Sequence, residues 1–186
     1  MPSAYAHLRF AREVIPAVPP KYRAIVKNLT RLYNVGAQGP DPLFFYNPLA
    51  ASKVEKQGHA CHAMTGSAFF EAALNRYRAA PSEGAAAYLF GVLAHYCLDC
   101  HCHPLINAAT EEANLDHMEL ETEFDRFLLQ KDGKLPPHLQ SYYKSIHLTR
   151  GEQATAAALY EACGAYLDAE DGALRARYAQ ADALFD

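Results

Sequence analysis

LAHYCLDCHCHPLIN, residues 93 to 107, is the stretch on which the reading of this chain turns. Three histidines, three cysteines and one aspartate sit in an otherwise apolar segment. Three explanations compete: polar groups buried for packing reasons, a cysteine-type zinc knot, or one wall of a metal-dependent site. Four residues of α-helix turn through about 400°, so positions i, i+4 and i+8 drift by only about 80° and share a face. His95, Asp99 and His103 form such a series. Burying Asp99 between two histidines on an apolar face is costly unless something positive neutralises the carboxylate, and a metal ion would do so.

The pattern continues outside this stretch. His117 and Glu121 are again four apart on the next helical segment. Facing helices that carry His and carboxylate pairs build interior metal sites, because they bring imidazole nitrogens and carboxylate oxygens to one point. Three further candidates lie upstream: His7 on the first helix, Asp41 in a proline-bracketed loop and His62 in KQGHACHAMTG. His59, His101, His138 and His147 do not continue the spacing and read as core or surface histidines, with His101 and His59 in reserve for His103 and His62. Cys97, Cys100 and Cys102 offer the alternative of a structural zinc site. Such sites usually place their first pair on a knuckle and add a second pair, whereas here only Cys61 or Cys163 remains to complete one, so core thiols are the default reading.

The rest of the chain reads as all α. Apolar residues recur at three- and four-residue intervals and β-branched alternation is scarce, which predicts helices at about 4–15, 21–34, 51–79, 83–104, 111–130, 137–147, 151–167 and 170–184. Prolines and glycines make 35–49 a loop, in which Phe44, Phe45 and Tyr46 are too apolar to be left in water. They are expected to fold back and fix Asp41, and they are candidates for lining a substrate cleft. A single domain is expected over residues 1–186, with the site-bearing part at about 1–130 and a helical cap at about 135–186. A net charge of -4 argues against a large nucleic-acid interface. The beginning of the chain lacks a signal-peptide core, no run approaches a membrane span, and the five cysteines suit a reducing compartment, so a soluble cytoplasmic protein is expected.

Taken in order, these residues resemble the zinc-dependent phospholipases C of bacteria, which are distantly related to zinc-dependent single-strand nucleases. The likeness rests on His7, Asp41 in GPDPLFF, His62, His95 with Asp99 in HYCLD, His103 in HP, and His117 with Glu121 in HMELE. It is closest to small intracellular members. The resemblance implies a multi-helix bundle of the phospholipase C and P1-nuclease type, and a site for two or three zinc ions. By that analogy Asp41, His62, His95 and Asp99 hold the first ion, and His103, His117 and Glu121 the second. His7, Asp99 and the N-terminal amine hold the third, with Asp99 bridging. It also implies a phosphoric diester hydrolase acting on a small phosphodiester or phospholipid, with Asp41 as general base or water-orienting group. Nuclease or nucleotide phosphatase activity at the same site, or a non-catalytic helical metal-binding protein, are the competing readings. The chain departs from secreted members in having no Trp to supply the N-terminal ligand and in the shorter Asp99-to-His103 spacing.

Overall fold

A computed structural model describes residues 4–45, 53–134 and 148–164. Eight α-helices account for nearly all of them: α1 (Ala4–Val14), α2 (Pro20–Asn28), α3 (Thr30–Gly36), α4 (Lys53–Ala63), α5 (Gly66–Ala79), α6 (Glu83–Ala113), α7 (His117–Lys131) and α8 (Arg150–Gly164). Short 3-10 turns follow α1 at Ile15–Ala17 and span Asp41–Phe45, and no strand occurs among the described residues. The expected helices at 137–147 and 170–184, and with them His138 and His147, lie outside the described residues.

Several boundaries differ from the periodicity reading. The expected 21–34 helix is two helices broken at Leu29, and 51–79 is two helices broken before Thr65, whose hydroxyl accepts the Ala68 N–H as an N-cap. The α6 helix does not stop at Pro104 but runs on to Ala113, ending at Asn114 in the left-handed conformation (φ 51°). Proline removes one N–H from the ladder without preventing continuation when packing holds the helix on either side. The next helix starts at His117 rather than near 111, because the Asp116 side chain accepts the Glu119 N–H and caps it there.

The long α6 is the axis of the fold. Helices α1, α2, α3, α5, α7 and α8 all pack on it, α3 most extensively. That contact is close because Gly36 and Gly91 face it, and a Cβ on either would strike the opposing backbone. Leu8, Leu32, Val35, Leu43, Tyr88 and Val92 form the main core, with Tyr33 buried beside it and its hydroxyl donating to the Ala11 carbonyl at 2.6 Å. A smaller cluster of Tyr5, Ala6, Leu128 and Leu129 joins α1 to α7. The first helix is thereby clamped between α6 and α7, with His7 facing inward and fully buried.

Candidate metal centre

The structure brings the eight predicted side chains into one continuous array. Three groups form, each with ligand-type atoms within 4.8 Å of one another: Asp41, His62 and His95; His7, His95 and Asp99; and His103, His117 and Glu121. Asp41 Oδ1 lies 3.0 Å from His62 Nε2 and 3.9 Å from His95 Nε2. Asp99 stands at the junction, with Oδ2 3.0 Å from His95 Nε2, and Oδ1 3.3 Å from His7 Nε2 and 3.6 Å from His103 Nε2. Glu121 Oε1 continues the chain, 3.5 Å from His103 Nε2 and 3.0 Å from His117 Nε2. The inner part is closed and the outer part open: the side chains of His7 and His95 are 3% and 5% exposed, those of His103 and His117 35% and 40%.

Backbone carbonyls fix which ring nitrogens face this array. His95 Nδ1–H donates to the Ala37 carbonyl at 3.2 Å and His62 Nδ1–H to the Gly58 carbonyl at 2.9 Å. In both rings Nε2 is thereby the nitrogen that faces the carboxylates, and it becomes available to a metal once any proton on it is lost, which is how metal-binding imidazoles are oriented. The segment that delivers Ala37 crosses directly over the His95 ring at Gly39, in the left-handed region (φ 56°), where a Cβ would overlap the imidazole. His7 comes from the other side and stacks on His95, with ring centroids 4.2 Å apart and 22° between planes.

Electrostatics follow from this crowding. Burial and the neighbouring His95 charge lower the His7 pKa, keeping that ring neutral. Burial opposes protonation of His62, but the Asp41 carboxylate 3.0 Å from its Nε2 and the Gly58 carbonyl outweigh it and raise the pKa to about 8. His95 is raised against the same burial by Asp41 and Asp99, and His103 is raised chiefly by Glu121. Burial would push Asp99 up, yet the His7 and His95 rings that face its two oxygens hold it well below the usual carboxylate range.

The residues fit a metal ion by a test independent of spacing. His7 Nδ1, Asp41 Oδ1 and His95 Nε2 are buried with no hydrogen-bond partner among the described residues. For Asp41 Oδ1 and His95 Nε2 this holds although charged neighbours lie 3.0 Å away. Such atoms approach one another without the alignment of hydrogen bonds, and buried polar groups left in that state are costly unless another partner completes them. The donor set of imidazole nitrogen and carboxylate oxygen is that of zinc sites.

Other predicted residues fall differently. No group of three or more ligand-type side chains among the described residues contains a cysteine, so the thiols do not assemble a knot there. Cys61 is buried, and burial pushes its thiol up to about 12; Cys100 is exposed. His101 is exposed and bonds the Cys97 carbonyl, while His59 packs against Phe44. Phe44 stacks against His62 (centroids 5.0 Å apart) behind the ligand ring. The Phe45 side chain, Tyr46 and the N-terminal amine lie outside the described residues. A cleft of about 350 Å³ opens onto His62, His95, Asp99 and His103, and its apolar wall is Met64, Phe69, Phe70, Val92 and Tyr96. That wall was not anticipated. Neither was Asp125, whose two oxygens accept the backbone N–H groups of Tyr5 (2.9 Å) and Ala6 (2.8 Å) and so cap α1 just before His7. Asp132 adds bonds from the Tyr5 hydroxyl at 2.7 Å and Arg9 at 2.8 Å.

Fold and clusters together define the class: an all-α domain with a candidate metal centre held between its helices. The chain belongs to the zinc-dependent phospholipase C family, whose profile matches residues 6–173. Comparisons with curated proteins and with solved structures gave no match. Among the described residues, no helix is long and apolar enough to cross a membrane.

Proposed function

We propose that the chain is a zinc-dependent phosphoric diester hydrolase, and that the array from His62 to His117 is its metal centre. The observation that carries the reading is the pair of buried atoms Asp41 Oδ1 and His95 Nε2, 3.9 Å apart and without a hydrogen-bond partner among the described residues, with His95 on the wall of an open cleft. His62, His95, Asp41 and Asp99 would hold one ion, and His103, His117 and Glu121 another. His95 belongs to two of the groups, but its single Nε2 can serve only one ion at a time. A third ion beside His7 and Asp99 therefore needs a ligand other than His95.

Bound zinc would supply Lewis acidity toward a phosphate oxygen and lower the pKa of a water. The chain's own groups do the rest. Asp41 takes the proton of the attacking water at Oδ2, the oxygen only loosely approached, at 4.0 Å, by His7. Asp99 keeps its charge through the reaction, since His7 and His95 hold it ionised. The Ala37 and Gly58 carbonyls prevent the His95 and His62 rings from turning. The apolar wall limits water on the side of the leaving group. Among the described residues no Lys or Arg lines the cleft, so the reading favours a substrate with a single phosphodiester over a polyanion. A reducing cytoplasm is the compartment in which Cys100, on the cleft wall, remains a thiol.

Elemental analysis of protein purified without added metal, alongside His95→Ala, tests the reading together with a screen of phosphodiesters. Two or three zinc ions per chain, falling by at least one in the variant, with turnover of at least one diester, is the expected result. Metal content indifferent to His95, or zinc-loaded protein inert toward every diester, overturns it.

A further inference from the structure

The wall of the metal-bearing cleft carries one polar point that the metal centre does not use. Tyr96 follows His95 directly on α6, and its side chain crosses to α5, where the hydroxyl rests against Gly66, the first residue of that helix. A Cβ on Gly66 would stand 2.3 Å from the hydroxyl oxygen and 2.4 Å from the ring carbon that bears it, so any larger residue there would displace the hydroxyl. Phe70 meets the ring edge-on, with centroids 5.5 Å apart and 79° between planes. The ring is thus held on two sides, yet the residue is 40% exposed and lines the cleft with His62, Asp99 and His103. Among the described residues of that lining, Tyr96 has the one side-chain hydroxyl, and there is no side-chain amide, ammonium or guanidinium. The Cys100 thiol, one turn along α6, faces the hydroxyl, and sulfur is a weak partner for it.

We infer that Tyr96 is a specificity-determining residue: its hydroxyl donates a hydrogen bond to an oxygen carried by the organic group of the ligand whose phosphate meets the metal centre. The placing of the phosphate rests on the function proposed above. Position selects the acceptor. The phosphate oxygens belong beside the ligand groups on α6 and α4, whereas the Tyr96 hydroxyl lies across the cleft at the start of α5. In an otherwise apolar lining, a hydroxyl with only a thiol facing it rewards an oxygen acceptor and gains nothing from a methylene at the same place. The cleft therefore discriminates by the position of one oxygen, where a purely apolar wall would discriminate by size alone.

The test compares butyl phosphate with 2-methoxyethyl phosphate, which have the same number of chain atoms and differ by one methylene replaced by oxygen. Calorimetric titration of each into the zinc-loaded full chain, and into its Tyr96→Phe variant, isolates the hydroxyl from the rest of the ligand. Preference for the ether over the alkyl ligand should be about fivefold greater in the unaltered chain than in Tyr96→Phe. Gly66→Ala, which keeps the tyrosine but displaces its hydroxyl, should lose the same preference. Zinc content should stay the same in both variants, since neither residue belongs to a ligand group. That pattern in a protein inert to every diester would support the anchor while removing the hydrolase reading. Turnover of diesters with an unchanged preference in both variants would do the reverse. An unchanged preference in Tyr96→Phe, an equal loss of affinity for both ligands, a loss that appears only together with loss of zinc, or no binding of either phosphate would each overturn the inference.

Discussion

His7 and His95 lie ring on ring, 4.2 Å between centroids, with the carboxylates of Asp41 and Asp99 at their edges. Two imidazoles from different helices hold this arrangement at a cost, because both cannot be charged at once without repulsion and both are buried. In the metal-free chain the described groups that face the two carboxylates are imidazoles, which compensate them by sharing protons. Metal removal should therefore destabilise the whole clamp of α1, α3 and α6. With zinc near a thousand times its dissociation constant, ligand linkage amounts to about 4 kcal/mol. For a chain of this size that corresponds to a fall in Tm on the order of 10 °C. Thermal melts before and after chelation, with zinc restored, check it; an unchanged Tm would mean that these atoms do not bind metal.

The charge state of His62 gives a pH dependence with a definite sign. Against its burial, Asp41 raises the metal-free pKa to about 8, so at neutral pH the ring carries a proton that a zinc ligand cannot keep. Zinc must expel it. Apparent affinity should then fall about tenfold per pH unit below pH 8 for this proton, and cease to depend on it above that value. His95, raised in the same direction, steepens the slope. Asp99 contributes nothing in this range, because its pKa is held far below it. Calorimetry in two buffers of different protonation enthalpy should show at least one proton released per zinc at pH 7, and none would exclude His62 as a ligand.

Asp99→Asn isolates the junction charge while keeping the shape. The side chain faces His95, His7 and His103 at 3.0, 3.3 and 3.6 Å, so both neighbouring groups lose an anionic partner. At least one zinc ion should be lost, with diester turnover down by more than about a hundredfold. The double change Cys97→Ser and Cys100→Ser should leave metal content intact, since no ligand group among the described residues contains either thiol. Loss of metal from the serine variant, or its full retention in Asp99→Asn, would move the centre elsewhere.

What was legible in the sequence was what helical periodicity alone determines. His95, Asp99 and His103 share a face because four-residue spacing puts them there, and the same holds for His117 and Glu121. Asp125 extends that second series by four more residues, yet it caps α1 instead of joining a ligand group. Spacing places a side chain on a face but cannot say which neighbour arrives there. The passage of α6 through Pro104 was illegible for a related reason: local propensity argues for a stop, and tertiary packing overrides it. The crossing of Gly39 over His95 was hidden too, because a glycine in a proline-rich segment reads as an ordinary turn.

The Asp125 cap supplies the last prediction. Both carboxylate oxygens are used, one on the Tyr5 N–H and one on the Ala6 N–H, and His7 follows directly. Asp125→Ala leaves two N–H groups at the start of α1 without these acceptors and should cost roughly 1 to 2 kcal/mol. The cost should concentrate locally, because Asp125 is on the same helix as Glu121 and ties the His7 helix to the helix of the outer ligand group. Amide exchange should speed up over residues 5–8 far more than in α3 or the middle of α6. Zinc affinity should weaken for the ion beside His7 while the ion at His103, His117 and Glu121 is retained. Asp125→Asn keeps one carbonyl acceptor and should recover part of both effects. A purely global loss of stability, with uniform exchange and no selective change in zinc binding, would show that the cap stabilises the fold without positioning His7.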